Sequence, residues 1–305
     1  LSDNEIQGET VAIGALSRAV ASSTTSETYV GFSSGQSAIS TYHNRGIGAK
    51  ALQNSGDSES NIAVGYNAMN LVGEKTEGNV AIGANTLSVL KDPSLGFHPV
   101  TNVAIGKDAM RYDTTSQSTV AIGREALLGA QNGQSNVAIG TQALRFLKSG
   151  SDNIGIGYRV GGYSQFFNIV FGLKDAFRSV LIGYKAGVSL GDFFSNGPAP
   201  QYLVAIGSEV LKGTSNADDN SLVDIIAVGA EAGGGITQVG SSSVFVGSKS
   251  RSTVTAITNS VALGYETEVT ASNMIALGNA SVTSIGVVSA DFDNNGFSDL
   301  IIGRE

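Results

Sequence analysis

Residues 102–140 read NVAIGKDAMRYDTTSQSTVAIGREALLGAQNGQSNVAIG, so that Val-Ala-Ile-Gly occurs three times, with glycines at 106, 123 and 140. The same apolar-Ala-apolar-Gly pattern precedes the glycines at 14, 65, 83, 207, 229, 264 and 278, and looser copies end at 31, 48, 157, 172, 183 and 247. A short unit repeated this often is typical of a solenoid, in which each repeat forms one coil and contacts mainly its neighbours. We therefore predict an all-β parallel solenoid of about sixteen short coils.

The alternation within each motif predicts which face its residues occupy. The first and third residues share one face of a strand, and the alanine lies on the other. We interpret the aliphatic pair as part of the inner core, and the alanine as part of a face that packs closely against another subunit. This interpretation assigns trimer packing to Ala63, Ala81, Ala104, Ala121 and Ala138. The larger residues at this position would then mark coils where the neighbouring chain is less close, and they are Tyr29, Val170, Leu181 and Phe245.

Three further positions of the repeat predict how one coil is closed. The glycine predicts a backbone turn that a side chain would hinder. An asparagine often stands four residues before it, as at Asn79, Asn102 and Asn136, and stacked coils would align these side chains into a polar ladder. A second apolar anchor, such as Ala126-Leu127, follows several glycines. The pattern thus predicts two short strands per coil with a polar turn between them.

Composition excludes several classes of function. A net charge of −8 without a basic cluster argues against nucleic-acid binding, and the absence of cysteine excludes disulfides and thiolate metal sites. No apolar run approaches the ~18 residues that a membrane-spanning helix needs, so we expect no membrane insertion. The only histidines are His43 and His98, and no Ser-His-Asp set can be assembled, so we expect no enzymatic activity. A pair of glycosidase carboxylates stays open, because coils bring distant residues together.

Interruptions of the repeat are the predicted places for recognition. We expect one repeat domain over residues 1–285, with insertions near 88–100, 188–203 and 212–224, and a C-terminal β segment over 286–305. Loops on a rigid scaffold often bind ligands, and aromatic rings beside amides suit sugars. The predicted ligand-binding residues are Phe97, His98, Phe193, Phe194, Asn196 and Tyr202. The alternative is that these loops are passive elaborations of the coil.

The C-terminal segment contains an Asp-rich loop, DFDNNGFSD, over residues 291–299. Oxygen ligands at alternate positions around a glycine can bind Ca²⁺. The predicted ligands are Asp291, Asp293, Asn295 and Asp299. The loop resembles the calcium loops of FG-GAP repeats, but only over a single short stretch. An Asn-Gly hairpin turn is the alternative, and no other cofactor is expected.

The repeated Asn-Val-Ala-Ile-Gly resembles two groups of proteins over about residues 10–280. One group comprises the head domains of trimeric autotransporter adhesins. The other comprises phage tail fibres whose shaft precedes a C-terminal intramolecular chaperone. Both resemblances imply a left-handed parallel β-roll and a homotrimer closed around one axis. The long repeat, with Ala-Leu or Ala-Met after the glycine, is more similar to the tail fibres.

The tail-fibre resemblance implies an extracellular part of a virion that binds a bacterial surface glycan such as lipopolysaccharide O-antigen. Two alternatives remain open. One is an adhesin head on the bacterial outer surface that binds host cells or matrix. The other is a glycan depolymerase of the tailspike kind.

Overall fold

The structure is a computed structural model, and it describes residues 10–18, 24–38, 41–73, 75–90, 100–130, 133–147, 150–161, 178–187, 202–212, 223–234, 240–254 and 256–283. Within these ranges the chain forms short strands and turns, with no helix. The predicted all-β class is therefore confirmed. The Asp-rich loop, the segment 286–305 and most of each insertion lie outside the described residues.

The strands are two to seven residues long. The first twelve are β1 (Val11–Ile13), β2 (Thr24–Thr25), β3 (Thr28–Val30), β4 (Thr41–Tyr42), β5 (Arg45–Ile47), β6 (Asn54–Ser55), β7 (Ser58–Glu59), β8 (Ile62–Val64), β9 (Leu71–Val72), β10 (Thr76–Glu77), β11 (Val80–Ile82) and β12 (Val89–Leu90). The others are β13 (Val103–Ile105), β14 (Val120–Ile122), β15 (Val137–Ile139), β16 (Ile154–Ile156), β17 (Val180–Ile182), β18 (Val204–Ile206), β19 (Val223–Val228), β20 (Gly240–Val246), β21 (Arg251–Ser252), β22 (Ile257–Thr258), β23 (Val261–Leu263), β24 (Glu268–Val269) and β25 (Ile275–Leu277).

One long parallel sheet contains every motif strand in the described ranges, so the predicted parallel β-solenoid is confirmed. Its order is β1-β3-β5-β8-β11-β13-β14-β15-β16-β17-β18-β19-β20-β23-β25, and β22 adds to β20. The register aligns each motif with the next, so that Val120, Ala121 and Ile122 pair with Val137, Ala138 and Ile139. This path has fifteen rungs, and the predicted sixteen coils are not confirmed. The copy that ends at Gly172 lies outside the described residues.

The prediction of two strands in every coil is wrong as a general rule. Between residues 24 and 90, short strands form two further parallel sheets, β10-β7-β4-β2 and β12-β9-β6. From residue 100 to residue 212, the described residues form only the motif strand of each coil. The second apolar anchor is nevertheless buried throughout, as Met110, Leu127 and Leu144 show. The anchor packs into the core from a turn, and it needs no strand to do so.

The predicted face assignment is reversed in the structure. The motif alanines point into the coil, whereas the first and third residues of each motif point outward. The five alanines assigned to trimer packing, Ala63, Ala81, Ala104, Ala121 and Ala138, are each 0% exposed in the single chain. They form the chain's own core and are closed off from any neighbouring chain. The trimer-packing assignment of these alanines is therefore wrong.

The interior of the coil is narrow, and this explains the small residue. Gly155 occupies the alanine position of β16, and a Cβ built there would lie only 2.6 Å from Cγ of Leu144. The anchor side chain of one coil thus fills the space beside the motif strand of the next. A methyl group is the largest side chain that most rungs accept at this position. Small size here reflects packing within one chain, a possibility that the sequence interpretation did not consider.

The corner after each motif strand requires glycine, as predicted. Gly123 has φ +132°, and a Cβ built on it would lie 2.5 Å from the carbonyl oxygen of Gly140 in the next rung. The same close approach recurs at the corner glycines from Gly14 to Gly247. A side chain would therefore meet backbone that the sheet holds in place.

The asparagine ladder is confirmed. The backbone N–H of Asn61 donates to Oδ1 of Asn44 at 2.9 Å, and the backbone N–H of Asn79 donates to Oδ1 of Asn61 at 3.0 Å. The ladder continues through Asn102, whose N–H donates to Oδ1 of Asn79 at 2.9 Å. These side chains are fully buried, so the ladder satisfies corner N–H groups that water cannot reach.

Candidate assembly face and binding residues

An aliphatic strip covers the outer face of the main sheet. Its members are the first and third residues of the motif in all fifteen rungs, and every one except Thr28 and Arg45 is Val, Ile or Leu. Ile82 and Ile226 are 39% and 41% exposed, which is unusual for isoleucine. The strip runs without a charged residue from β8 to β25.

The strip is larger than the apolar patches of ordinary monomers. With roughly 4.8 Å between strands and roughly 7 Å between alternate residues, fifteen rungs give a strip about 70 Å long and about 10 Å wide. Its area is therefore on the order of 700 Å², against roughly 300–600 Å² for the largest patch of a typical soluble monomer. Patches of this size mark surfaces that contact another molecule.

Tyr202 is the one predicted ligand-binding residue that lies within the described ranges. It is exposed, and its hydroxyl accepts a hydrogen bond of 2.8 Å from Nη1 of Arg178. The Arg178 guanidinium also lies 5.7 Å from the centroid of the Tyr202 ring. The predicted residues Phe97, His98, Phe193, Phe194 and Asn196 lie outside the described residues.

A second aromatic group was missed by sequence reasoning. Tyr158 and Tyr184 follow the corner glycines of successive rungs and stack with their ring centroids 5.7 Å apart. Arg159 lies 4.9 Å from the Tyr158 ring centroid, and Lys185 lies the same distance from that of Tyr184. The two glycines, Gly157 and Gly183, are far apart in sequence, although their strands β16 and β17 are adjacent in the sheet. The signal that could have found the pair is the equal position of both tyrosines after their glycines.

The structure also buries acidic side chains that the repeat pattern does not predict. Asp113 is fully buried, and burial raises its pKa to about 7. The backbone N–H groups of Ser116 and Thr115 donate to its Oδ1 at 3.0 and 3.2 Å. Glu27 is also buried, and it accepts a hydrogen bond from the Tyr29 hydroxyl at 3.2 Å. Both groups lie inside the coil, where they bear on stability rather than on ligand binding.

The predicted calcium ligands Asp291, Asp293, Asn295 and Asp299 lie outside the described residues. Elsewhere, within the ranges that the structure describes, no three His, Cys, Asp or Glu side chains are grouped so that they could hold a metal ion. The same ranges contain no helix long and apolar enough to span a membrane.

Comparison with known proteins adds no relative. No protein-family model matches the chain, and no curated protein matches it. The aliphatic strip is therefore the feature from which a function must be argued.

Proposed function

We propose that this chain is a structural and receptor-binding segment of a phage tail fibre, which assembles as a homotrimer and attaches to bacterial surface polysaccharide. The observation that supports assembly is the aliphatic strip, which is uninterrupted from β8 to β25, because a strip of about 700 Å² made almost entirely of Val, Ile and Leu favours a permanent partner. The fold is compatible with this function, and the resemblance of the repeat favours the tail-fibre class.

A second copy of the same chain is the best-matched partner for the strip. The strip is periodic along its whole length, and another copy has the same spacing between rungs. The area on each chain is close to the ~800 Å² per partner of a standard interface. Two chains could cover such a strip face to face. The resemblance of the repeat favours three chains, each turning its strip toward a common axis.

Attachment to polysaccharide is supported by an exposed aromatic residue of the second insertion. Tyr202 lies at the end of the second insertion, exposed and held by Arg178. Three equivalent sites on one rod would raise avidity, so weak contacts with single sugars would suffice. This function places the protein outside the cell, on the virion.

Light scattering on unheated protein tests the assembly. A trimer has about three times the chain mass of 31.1 kDa, about 93 kDa. Replacing Ile122 and Ile139 with Asp should give a folded chain of single mass, because both side chains are already partly exposed. The matched control is Tyr112→Asp, an exposed hydrophobic residue outside the strip, which should stay trimeric. A wild-type monomer would contradict the proposed assembly.

Adsorption tests the receptor. The trimer should bind bacterial cells or purified lipopolysaccharide with its O-antigen and leave the glycan chain length unchanged. Binding to host cells or matrix alone would support the adhesin alternative. Shortening of the O-antigen during incubation would support the depolymerase alternative.

A further inference from the structure

A charged hollow of about 420 Å³ lies on the C-terminal part of the rod. Its lining consists of Lys212, Glu231, Gly234, Lys249, Arg251 and Glu266. The volume lies within the range of roughly 300–1,000 Å³ that small-ligand sites occupy. None of the lining residues belongs to the aliphatic strip, so assembly through the strip does not use them.

The repeat builds one side of the hollow. Glu231, Lys249 and Glu266 each stand two residues after a corner glycine, with φ values of 56°, 58° and 51°. Their N–H groups donate to carbonyl oxygens of the preceding rung, which holds the three residues in one column. The three side chains therefore leave the rod side by side from a fixed backbone.

A glycine opens the other side. Gly234 pairs with Arg251 in a parallel bridge, and Arg251 pairs with Glu268 in the next rung. A Cβ built on Gly234 would have only ordinary contacts, with the backbone carbonyl oxygens of Glu231 at 3.6 Å and of Lys212 at 4.0 Å. The missing side chain thus leaves space at this point of the column.

The lining has three cations and two carboxylates, and two carboxylates outside the lining, Glu209 and Glu268, pair with two of the cations. Each cation has a partly exposed carboxylate near it. Lys249 lies 3.7 Å from Glu266, Lys212 lies 2.6 Å from Glu209, and the Arg251 Nε donates to Glu268 at 2.8 Å. Exposed ion pairs contribute little to stability, so these cations can also bind a ligand at small cost.

We propose that this hollow binds a carboxylated sugar residue of a polysaccharide. The guanidinium of Arg251 and the ammonium groups of Lys212 and Lys249 supply charge-assisted hydrogen bonds to the sugar carboxylate. The carboxylates of Glu231 and Glu266 accept hydrogen bonds from sugar hydroxyls. None of the hollow's lining residues is among the ligand-binding residues predicted from the sequence, and only Lys212 belongs to one of the predicted insertions. This proposal depends on the proposed function in one respect, which is that the ligand comes from a surface glycan.

Calorimetric titration with a tetrasaccharide of alternating glucuronic acid and N-acetylglucosamine tests the site. Gly234→Leu should fill the hollow and weaken binding at least about tenfold. The matched control is Gly129→Leu, outside the hollow, because a Cβ at Gly129 likewise makes only ordinary contact, with the Arg145 carbonyl oxygen at 3.5 Å. The control should bind as the wild type does. Equal affinities of the two variants, or a wild type that does not bind, would overturn the proposal.

The role of charge is tested separately. The same tetrasaccharide with its carboxyl groups reduced should bind the wild type at least about tenfold more weakly. Lys249→Glu should cause a similar loss, whereas Lys107→Glu, at an exposed lysine outside the hollow, should not. Undiminished binding of the reduced sugar, or inorganic phosphate that competes at equal affinity, would overturn recognition of a sugar acid.

The two proposals fail in distinguishable ways. A trimer that adsorbs to bacteria equally well with Gly234→Leu and with Gly129→Leu contradicts the hollow alone. A monomer that does not adsorb to cells contradicts the tail-fibre function. If that monomer binds the tetrasaccharide and loses this binding with Gly234→Leu, the proposal for the hollow is still supported.

Discussion

The middle rungs, β11 and β13 to β15, repeat one interior, whereas the N-terminal rungs β1, β3 and β5 do not. In the middle, alanine stacks on alanine in register. At the N-terminal end, Tyr29 replaces the alanine, and Gly46 occupies the same column in the next rung. A Cβ built on Gly46 would lie 3.0 Å from Cδ1 of Tyr29. A large side chain in one rung is therefore accommodated by a glycine in the next rung.

The same two regions differ on the outside. Thr28 and Arg45 interrupt the aliphatic strip at the N-terminal end, while the middle rungs present only Val and Ile. The N-terminal end also buries charge, since Arg18 Nε lies 3.7 Å from Glu27 Oε2 and both side chains are almost fully covered. A regular interior thus accompanies a regular apolar exterior. We expect the middle rungs to dominate both folding stability and assembly.

The largest expected effect comes from a corner of the middle region. Gly123→Ala places a methyl group 2.5 Å from the Gly140 carbonyl oxygen at a φ of +132°. Because both partners are sheet backbone, the clash cannot relax cheaply, and we expect a loss of at least about 3 kcal/mol in the free energy of unfolding. Chemical denaturation measures it. The control is Gly129→Ala, whose methyl group would make only an ordinary contact, with the Arg145 carbonyl oxygen at 3.5 Å, and it should change stability by well under half as much.

The second effect concerns the buried acid of the middle region. Burial raises the pKa of Asp113 to about 7, from 3.8, so the folded chain retains a proton that the unfolded chain releases. Its contribution therefore makes the free energy of unfolding fall as the pH rises from about 4 to about 7, and level off above that. Asp113→Asn should remove roughly 3 kcal/mol of this dependence between about pH 5 and about pH 8.

The control for this pH effect is Asp152→Asn, at an exposed carboxylate. Thermal melts of the wild type and both variants across this pH range give the comparison. Glu27→Gln should act in the same direction at the N-terminal end, because burial raises the pKa of Glu27. Parallel pH profiles of the wild type and Asp113→Asn would contradict the assignment.

A smaller effect tests whether the interior volume is shared between rungs. The repeat consensus suggests that alanine in place of Gly155 or Gly46 would stabilise the chain, but the structure predicts the opposite. At Gly155 the new methyl group meets Leu144 at 2.6 Å, and at Gly46 it meets Ser34 Oγ at 2.9 Å. Overpacking should cost roughly 1–3 kcal/mol. With Leu144→Ala in the background, Gly155→Ala should lose most of its cost, and a purely additive double mutant would contradict the shared volume.

These cases show what the sequence could and could not predict. Repetition and alternation were enough for the parallel solenoid, the glycine corner and the asparagine ladder. They could not decide which face was inside, because alternation is symmetric between the two faces of a strand. Absolute orientation depends on the width of the coil, which is set by anchors such as Leu144 filling the space beside Gly155. The charged hollow was equally inaccessible, since Gly234 matters there for the side chain that it lacks.

The smallest effect is a gain of stability where the middle region departs from its own pattern. Thr119 stands in the asparagine ladder, and its hydroxyl accepts the Asn136 N–H at a long 3.5 Å. Thr119→Asn should supply an amide oxygen to that N–H, and should offer its NH₂ to a carbonyl oxygen, as Asn136 does to Gly150 at 2.7 Å. We expect a gain of about 1 kcal/mol, the usual worth of a buried hydrogen bond. Thr119→Val, of similar size but without the oxygen, is the control and should lower the melting temperature. If both variants destabilised the chain equally, the ladder would owe its stability to packing and not to its hydrogen bonds.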